Sequence, residues 1–333
     1  MTIEIPGKLF ISGEYAVLHG AHAVLAPVRR TMRFECVPAS RDTFASSKYG
    51  TLDLEKELDV PKPVTQAYRI ALDYLNLQNI PRKHFLLSVR SALDHEGMKL
   101  GLGSSGVLTV GIIRSIVAFH GVRLENDKLY KLSVLSQRHS APYASFGDIA
   151  VAVHGAWILY RRFDPVWLKR HAHFSLDWLL KHPWPKLRIT PFKPGPLKAF
   201  AINSRHPASS KALVEAFNER FDTGKHASLI DTMDQLSLTL YNELEGRLPC
   251  THTISALNHA YDRLIEAASL DLKPAPLEAL MTTIEAFGGV AKISGAGGGD
   301  CVLAFFDHPA TYKKAWHHFT LSEYPCIHLR RPL

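Results

Sequence analysis

The run Lys99-Leu-Gly-Leu-Gly-Ser-Ser-Gly106 leads directly into a long apolar stretch, Val107 to Phe119, and carries the residue types that hold phosphate. Glycines at 101, 103 and 106 let the backbone approach an anion closely. A helix starting here would aim its free N–H groups and the positive end of its dipole at that anion. Leu102 completes the turn, Ser104 and Ser105 add hydroxyls suited to phosphate oxygens or Mg²⁺, and Lys99 adds a positive charge. The plainer alternative is a glycine turn with a serine N-cap. Gly101-x-Gly103-x-x-Gly106 also fits the dinucleotide-binding spacing, but that motif needs a buried strand ending at its first glycine. Asp94-His-Glu-Gly-Met-Lys99 is polar and supplies none, and a Walker-type Gly-x4-Gly-Lys-Ser/Thr is absent.

Two further groups of residues have chemical content. Ser294-Gly-Ala-Gly-Gly-Gly-Asp300 packs four glycines into five positions, at a high entropic cost that a loop wrapping closely round a ligand would explain. Pro6-Gly-Lys8 and Ser145-Phe-Gly-Asp148 together offer an ammonium and a carboxylate able to orient an acceptor oxygen in phosphoryl transfer. No spacing rule brings Lys8 and Asp148 together, and each alone reads as a surface charge. Their meeting requires a fold.

The elements that would position these groups are partly legible. Ile3 to Ile5 and Lys8 to Ile11 read as short extended pieces broken at Pro6-Gly7, and Arg33 to Val37 and His84 to Val89 as strands. Val64 to Leu75, Val107 to Phe119 and Asp127 to Gln137 have helical spacing, and Ile149 to Tyr160 reads as an apolar strand. Arg161 to Pro196 loses periodicity and gathers prolines and tryptophans. The expected division is therefore a first domain at 1–165, a junction at 166–196 and a second domain at 197–333. In the second, strands are expected near 197–202, 290–293, 301–306 and 326–329. Helices are expected near 209–219, 226–246, 251–269 and 276–287, with another before the last strand.

With 333 residues, 46% hydrophobic and 21% charged, the chain has the make-up of a folded protein with room for two cores. No apolar run reaches the ~18–20 residues that span a bilayer, so no membrane partner is expected. Met1 to Pro6 lacks the basic and apolar regions of a secretion signal, and a cytoplasmic location is expected. The cysteines at 36, 250, 301 and 326 are scattered, as reduced thiols would be, with no zinc spacing. A net charge of +8 suits an anionic partner. The basic residues are dispersed without aromatic-studded RNA motifs, so a small phosphorylated molecule is expected and nucleic acid is not.

Taken together, these segments resemble the GHMP kinase superfamily. Pro6 to Tyr15 matches its first motif, Gly101 to Gly106 its second, and Ser294 to Cys301 its third, in order along nearly the whole chain. Within the superfamily the resemblance is to the bacterial phosphomevalonate kinases. It is carried by Gly13-Glu-Tyr15, Gly299-Asp-Cys301, Ser145-Phe-Gly-Asp-Ile-Ala150 followed by Phe163-Asp164, and Pro207-Ala-Ser-Ser210. Val17-Leu-His-Gly20 is closer to mevalonate kinases, and Tyr143-Ala144 stands where glycine is common. Gln137 stands where mevalonate kinases place a magnesium-binding Glu, which leaves Ser105, water and phosphates as the metal's ligands.

The resemblance implies an α+β, two-domain fold, with an N-terminal domain like ribosomal protein S5 domain 2 and a ferredoxin-like C-terminal domain. It implies ATP and Mg²⁺ as cofactors and mevalonate 5-phosphate as acceptor. Lys8, Asp148 and Lys99 would be catalytic, and residues 101–106 would bind the ATP phosphates. Glu14, Tyr15, Ser145, His206, Ser209, Ser210, Gly295, Ala296 and Gly297 would form the substrate side. Mevalonate kinase is the competing activity, and an S5-like RNA-binding module without catalysis is the competing class. Oligomeric state is not readable.

Overall fold

The computed structural model describes residues 1–56, 60–138 and 140–330. The chain opens with β1 (Thr2–Phe10) and, after a 3-10 turn at Ala16–His19, β2 (His22–Pro38). β1 is continuous through Pro6-Gly7, contrary to the two pieces expected. The interruption is absorbed as a register shift between Pro6 and Lys8 in its antiparallel pairing with β2. β3 (Thr43–Ser46), β4 (Gly50–Asp53), helix α1 (Lys62–Leu77) and β5 (Phe85–Ser91) follow. A small hairpin, β6 (Asp94–His95) and β7 (Met98–Lys99), leads into α2 (Ser104–Phe119) and α3 (Asn126–Gln137).

The segment expected as a strand at 149–160 divides. Gly147–His154 is a helix, α4, closed by Gly155 in the left-handed conformation, and only Trp157–Arg161 forms a strand, β8. Ile149, Ala150, Val151, Ala152 and Val153 are all buried, and a helix apolar on every side has no periodicity to distinguish it from a buried strand. This difference decides the chemistry, because it puts Asp148 in the first turn of a helix. Residues 165–192 form α5 (Pro165–Arg170), α6 (Leu176–Lys181) and β9 (Arg188–Phe192), and β9 pairs with β8. The stretch expected as a junction thus supplies an edge strand to the first sheet, whose order is β4-β3-β5-β2-β8-β9 with β1 also on β2.

The second unit runs β10 (Ala199–Asn203), α7 (Ser210–Arg220), α8 (Ala227–Glu245), α9 (Thr251–Ala267) and α10 (Ala275–Ala286). It continues through β11 (Val290–Ser294), β12 (Cys301–Phe305), α11 (Pro309–Thr320) and β13 (Cys326–His328). Its antiparallel sheet has the order β11-β12-β10-β13, as a ferredoxin-like fold requires.

α2 is the beam of the first unit. Val107, Val110, Ile112, Ile113, Ile116 and Val117 are fully buried, and α1, α3, α4, β1 and β2 pack round it. It lies so close to β2 that a Cβ added at Gly111 would overlap the Phe34 ring. Gly111→Val should therefore destabilise the protein by ~1–3 kcal/mol, the usual range for overpacking a core, and should weaken nucleotide binding by shifting the start of α2. Urea unfolding with nucleotide titration checks both.

Candidate active site

A cavity of about 480 Å³ lies where the two units meet, a size ordinary for a small-molecule site. Helix N-termini from three segments are directed to it. α2 begins after Gly103, α4 after Phe146 and α7 after Ser209, and Ser104, Ser105, Ser145, Ser209 and Ser210 line the wall. Neither Gly103 nor Ser209 gives its helix a side-chain cap, so the first N–H groups there, apart from that of Gly106, which Asp148 takes, stay available to a ligand. The N-cap reading of the serines is thereby set aside.

The phosphate-type loop touches both reactive candidates. Gly103 has φ 72°, and a Cβ there would lie 2.8 Å from Asp148 Cβ and 3.1 Å from Lys8 Cγ. The Gly106 N–H donates to Asp148 Oδ2 at 3.2 Å, and the Lys8 N–H donates to the Leu102 carbonyl at 2.9 Å. Lys8 and Asp148, 140 positions apart in the chain, are thus brought together against one glycine. Burial pushes the Lys8 ammonium below its ordinary value, opposed by the charges of Asp148 and Asp300. Burial likewise pushes the Asp148 carboxyl above the usual range, against the pull of Lys8 and of backbone N–H donors. Lys8 also lies 4.9 Å from the Phe10 ring centroid.

Asp300 is the member to which sequence reasoning gave no role, having noted it as the tail of the glycine loop and, in Gly299-Asp-Cys301, as part of the family resemblance. It has φ 58° and its carboxylate abuts Gly101, where a Cβ would come within 2.6 Å of it. It accepts the Ala208 N–H and feels both Lys8 and Lys99. One carboxylate therefore ties the loop at 101, the lysines and the turn before α7. Its proximity to Gly101 was not encoded in any local pattern.

Motif residues on the other wall close the two units together. The Tyr15 hydroxyl donates to the Ala296 carbonyl at 2.6 Å, and Phe10 exchanges hydrogen bonds with Ser294 Oγ at 2.9 and 3.0 Å. Burial pushes the Cys301 thiol up to about 12, and it donates to the Leu100 carbonyl at 3.2 Å. Glu14, Tyr15, Lys99, Gly101, Leu102, Gly295 and Ala296 all line the cavity.

Three expected site residues do not line it. His206 contributes its backbone carbonyl to the Asp300 N–H at 2.8 Å, Gly297 is buried against Tyr261 and Leu272, and Gly106 acts through its N–H on Asp148. Gln137 is engaged as a donor to Thr109 Oγ1 at 2.6 Å and to the Ser105 carbonyl at 3.2 Å. The amide holds the first turn of α2 in place.

This fold and this cleft define a GHMP kinase. The GHMP kinases N terminal domain description matches residues 64–156, the GHMP kinases C terminal description matches 241–323, and the chain belongs to that family. The phosphomevalonate kinase of Streptomyces sp. (strain CL190) is 32% identical over 338 residues, covering 92% of this chain and 90% of that one. The mevalonate kinase of Archaeoglobus fulgidus is 24% identical over 309 residues, covering 92% of each. Among solved structures, Streptococcus pneumoniae phosphomevalonate kinase in complex with phosphomevalonate and AMPPNP superposes with a TM-score of 0.86. It shares 24% identity over the whole of both chains, a likeness of fold.

Gly103→Ala places a side chain against Asp148 at a φ that L-residues avoid. We expect nucleotide affinity to fall about 5- to 30-fold, since a strain of ~1–2 kcal/mol must be relieved by moving the loop. Calorimetric titration with a non-hydrolysable ATP analogue measures it.

Proposed function

We propose that the protein transfers the γ-phosphoryl group of ATP to the phosphate of mevalonate 5-phosphate, forming mevalonate 5-diphosphate. The observation that carries this reading is the contact of Lys8 and Asp148 with Gly103 of the phosphate-type loop, beside a cavity that also receives the Ser209–Ser210 helix start. Support for the acceptor comes from the Streptomyces relative and from the ligand named for the Streptococcus pneumoniae structure. Among the described residues no helix is long and apolar enough to cross a membrane. With its four free cysteines the enzyme is placed, in this reading, in the cytoplasm.

In the mechanism, the ATP phosphates lie on the N–H groups of residues 101–105 and the Ser104 and Ser105 hydroxyls, while the Gly106 N–H holds Asp148. Lys99 offsets negative charge at the mouth. The second pKa of a phosphate monoester is ~6, so the acceptor oxygen belongs to a phosphate that is already mostly a dianion near neutral pH. It attacks the γ-phosphorus as the bond to ADP breaks. There is little proton for a base to remove, and the obstacle is repulsion between two polyanions. Lys8 and the N-termini of α2 and α7 counter that repulsion. Asp148 orients Lys8 and stands close enough to the loop to do so.

The cavity also offers the hard oxygen donors that Mg²⁺ prefers: the Ser105 hydroxyl and the Asp148 and Asp300 carboxylates. Ser105 would hold it with the phosphates, and bound Mg²⁺ would supply charge neutralisation on the triphosphate. Gln137, committed to Thr109 and Ser105, is no carboxylate substitute.

Lys8→Met should lower kcat by ~10²–10³-fold, as loss of a single electrostatic stabiliser does; near-normal turnover would remove Lys8 from the mechanism. The pH profile has a definite sign. Asp148 acts ionised with a raised pKa, so activity falls as pH drops through a value above the usual carboxylate range. Lys8 acts protonated with a lowered pKa, so activity falls again as pH rises through a value below the ordinary lysine one. Asp148→Asn should abolish the Asp148 contribution to the acid limb while retaining measurable turnover with the phosphate acceptor. Complete loss would restore an obligatory base.

A further inference from the structure

Glu14 and Lys292 face each other across the junction of the two units, 278 positions apart in the chain, with side chains only 1% exposed. Lys292 donates Nζ to Glu14 Oε1 and to the Ile293 carbonyl at 2.9 Å, and its ammonium lies 5.9 Å from the Tyr261 ring centroid. Glu14 Oε2 is equally buried but accepts no hydrogen bond, while Glu14 forms part of the cavity wall. A buried carboxylate oxygen with no donor is costly unless a ligand supplies one.

The chemistry of that donor follows from the oxygen. An ionised carboxylate only accepts, so it repels a phosphate or carboxylate and takes an O–H. The neighbouring tyrosines do not meet the need: the Tyr15 and Tyr261 hydroxyls both point at the Ala296 carbonyl. Glu14 also acts on Lys8, which lies under the charges of Asp148 and Asp300 as well. Without Lys292, Glu14 would compete with those two carboxylates for Lys8.

We propose that Lys292 is a positioning residue for the transfer: it neutralises Glu14 from the opposite unit, leaving Lys8 to Asp148 and Asp300. It also fixes the second Glu14 oxygen as acceptor for a hydroxyl of the substrate. The substrate is thereby oriented with its hydroxyl toward Glu14 and its phosphate toward the helix starts. This inference rests on the transfer reading given above.

The test compares wild type, Lys292→Met and the double variant Glu14→Gln/Lys292→Met, using steady-state kinetics with ATP and mevalonate 5-phosphate corrected for folded fraction. We expect Lys292→Met to lower kcat about tenfold or more and to raise the acceptor KM, with the ATP KM within about threefold of wild type. In the double variant no buried charge is left unpaired, so kcat should recover to within about threefold of wild type while the acceptor KM stays raised. A merely structural lysine would change the melting temperature without this split.

Unchanged kinetics in Lys292→Met, or a double variant as slow as the single one, overturns the proposal. Should Lys292→Met fail to fold, the double variant decides alone: kcat near wild type with a raised acceptor KM supports it, and kcat as low as that of Lys8→Met overturns it. A wild type inert toward mevalonate 5-phosphate fails the transfer reading itself and this inference with it. An active wild type with an unmoved Lys292→Met fails the inference only.

Discussion

The cleft is organised round one constraint: a buried ammonium, Lys8, must keep its charge against desolvation. Burial works against its charge, and Asp148 and Asp300 restore it. Each of those carboxylates is in turn tied to backbone N–H groups that belong to the ligand cradle, Asp148 to Gly106 and Asp300 to Ala208. The charge that would assist transfer and the loops that would hold the phosphates are therefore one hydrogen-bonded assembly. A loop moved by a single methyl group disturbs the lysine as well as the anion site.

That assembly depends on both units. Lys8, Glu14 and Tyr15 come from the start of the chain, the loop at 101–106 and Asp148 from its middle, and Asp300 and Lys292 from its end. The clasp between them is made of short, buried contacts: Tyr15 to Ala296, Phe10 to Ser294, Cys301 to Leu100 and Glu14 to Lys292. Backbone conformations that L-residues seldom adopt occur at Tyr15, Phe146 and Asp300, each lining the cavity. Such conformations persist where surrounding packing fixes them, and they collect at functional sites.

What could be read from the sequence follows the range of the physics. The loop at 101–106, the amphipathic α1 and the ferredoxin-like strands rest on local periodicity, and they lie within a few residues of where spacing puts them. α4 was misread as strand because residues 149–153 are buried on every side, which erases the period. β1 was read as broken at Pro6-Gly7 because a bulge and a chain break use the same residues. The meeting of Lys8 with Asp148 was reachable only through the family resemblance. The contacts of Asp300 with Gly101 and of Lys292 with Glu14 were not reachable at all, since each spans more than 190 residues of chain.

The central claim concerns the acceptor, and the most direct measurement follows product by phosphorus NMR with ATP and either mevalonate 5-phosphate or mevalonate. The account expects ADP and a C5 diphosphate from mevalonate 5-phosphate, with kcat/KM at least ~10²-fold above that for mevalonate, since a site built to pair an anionic group rejects an analogue that leaves it unpaired. Efficient formation of mevalonate 5-phosphate from mevalonate, with no diphosphate from the phosphorylated acceptor, would contradict it.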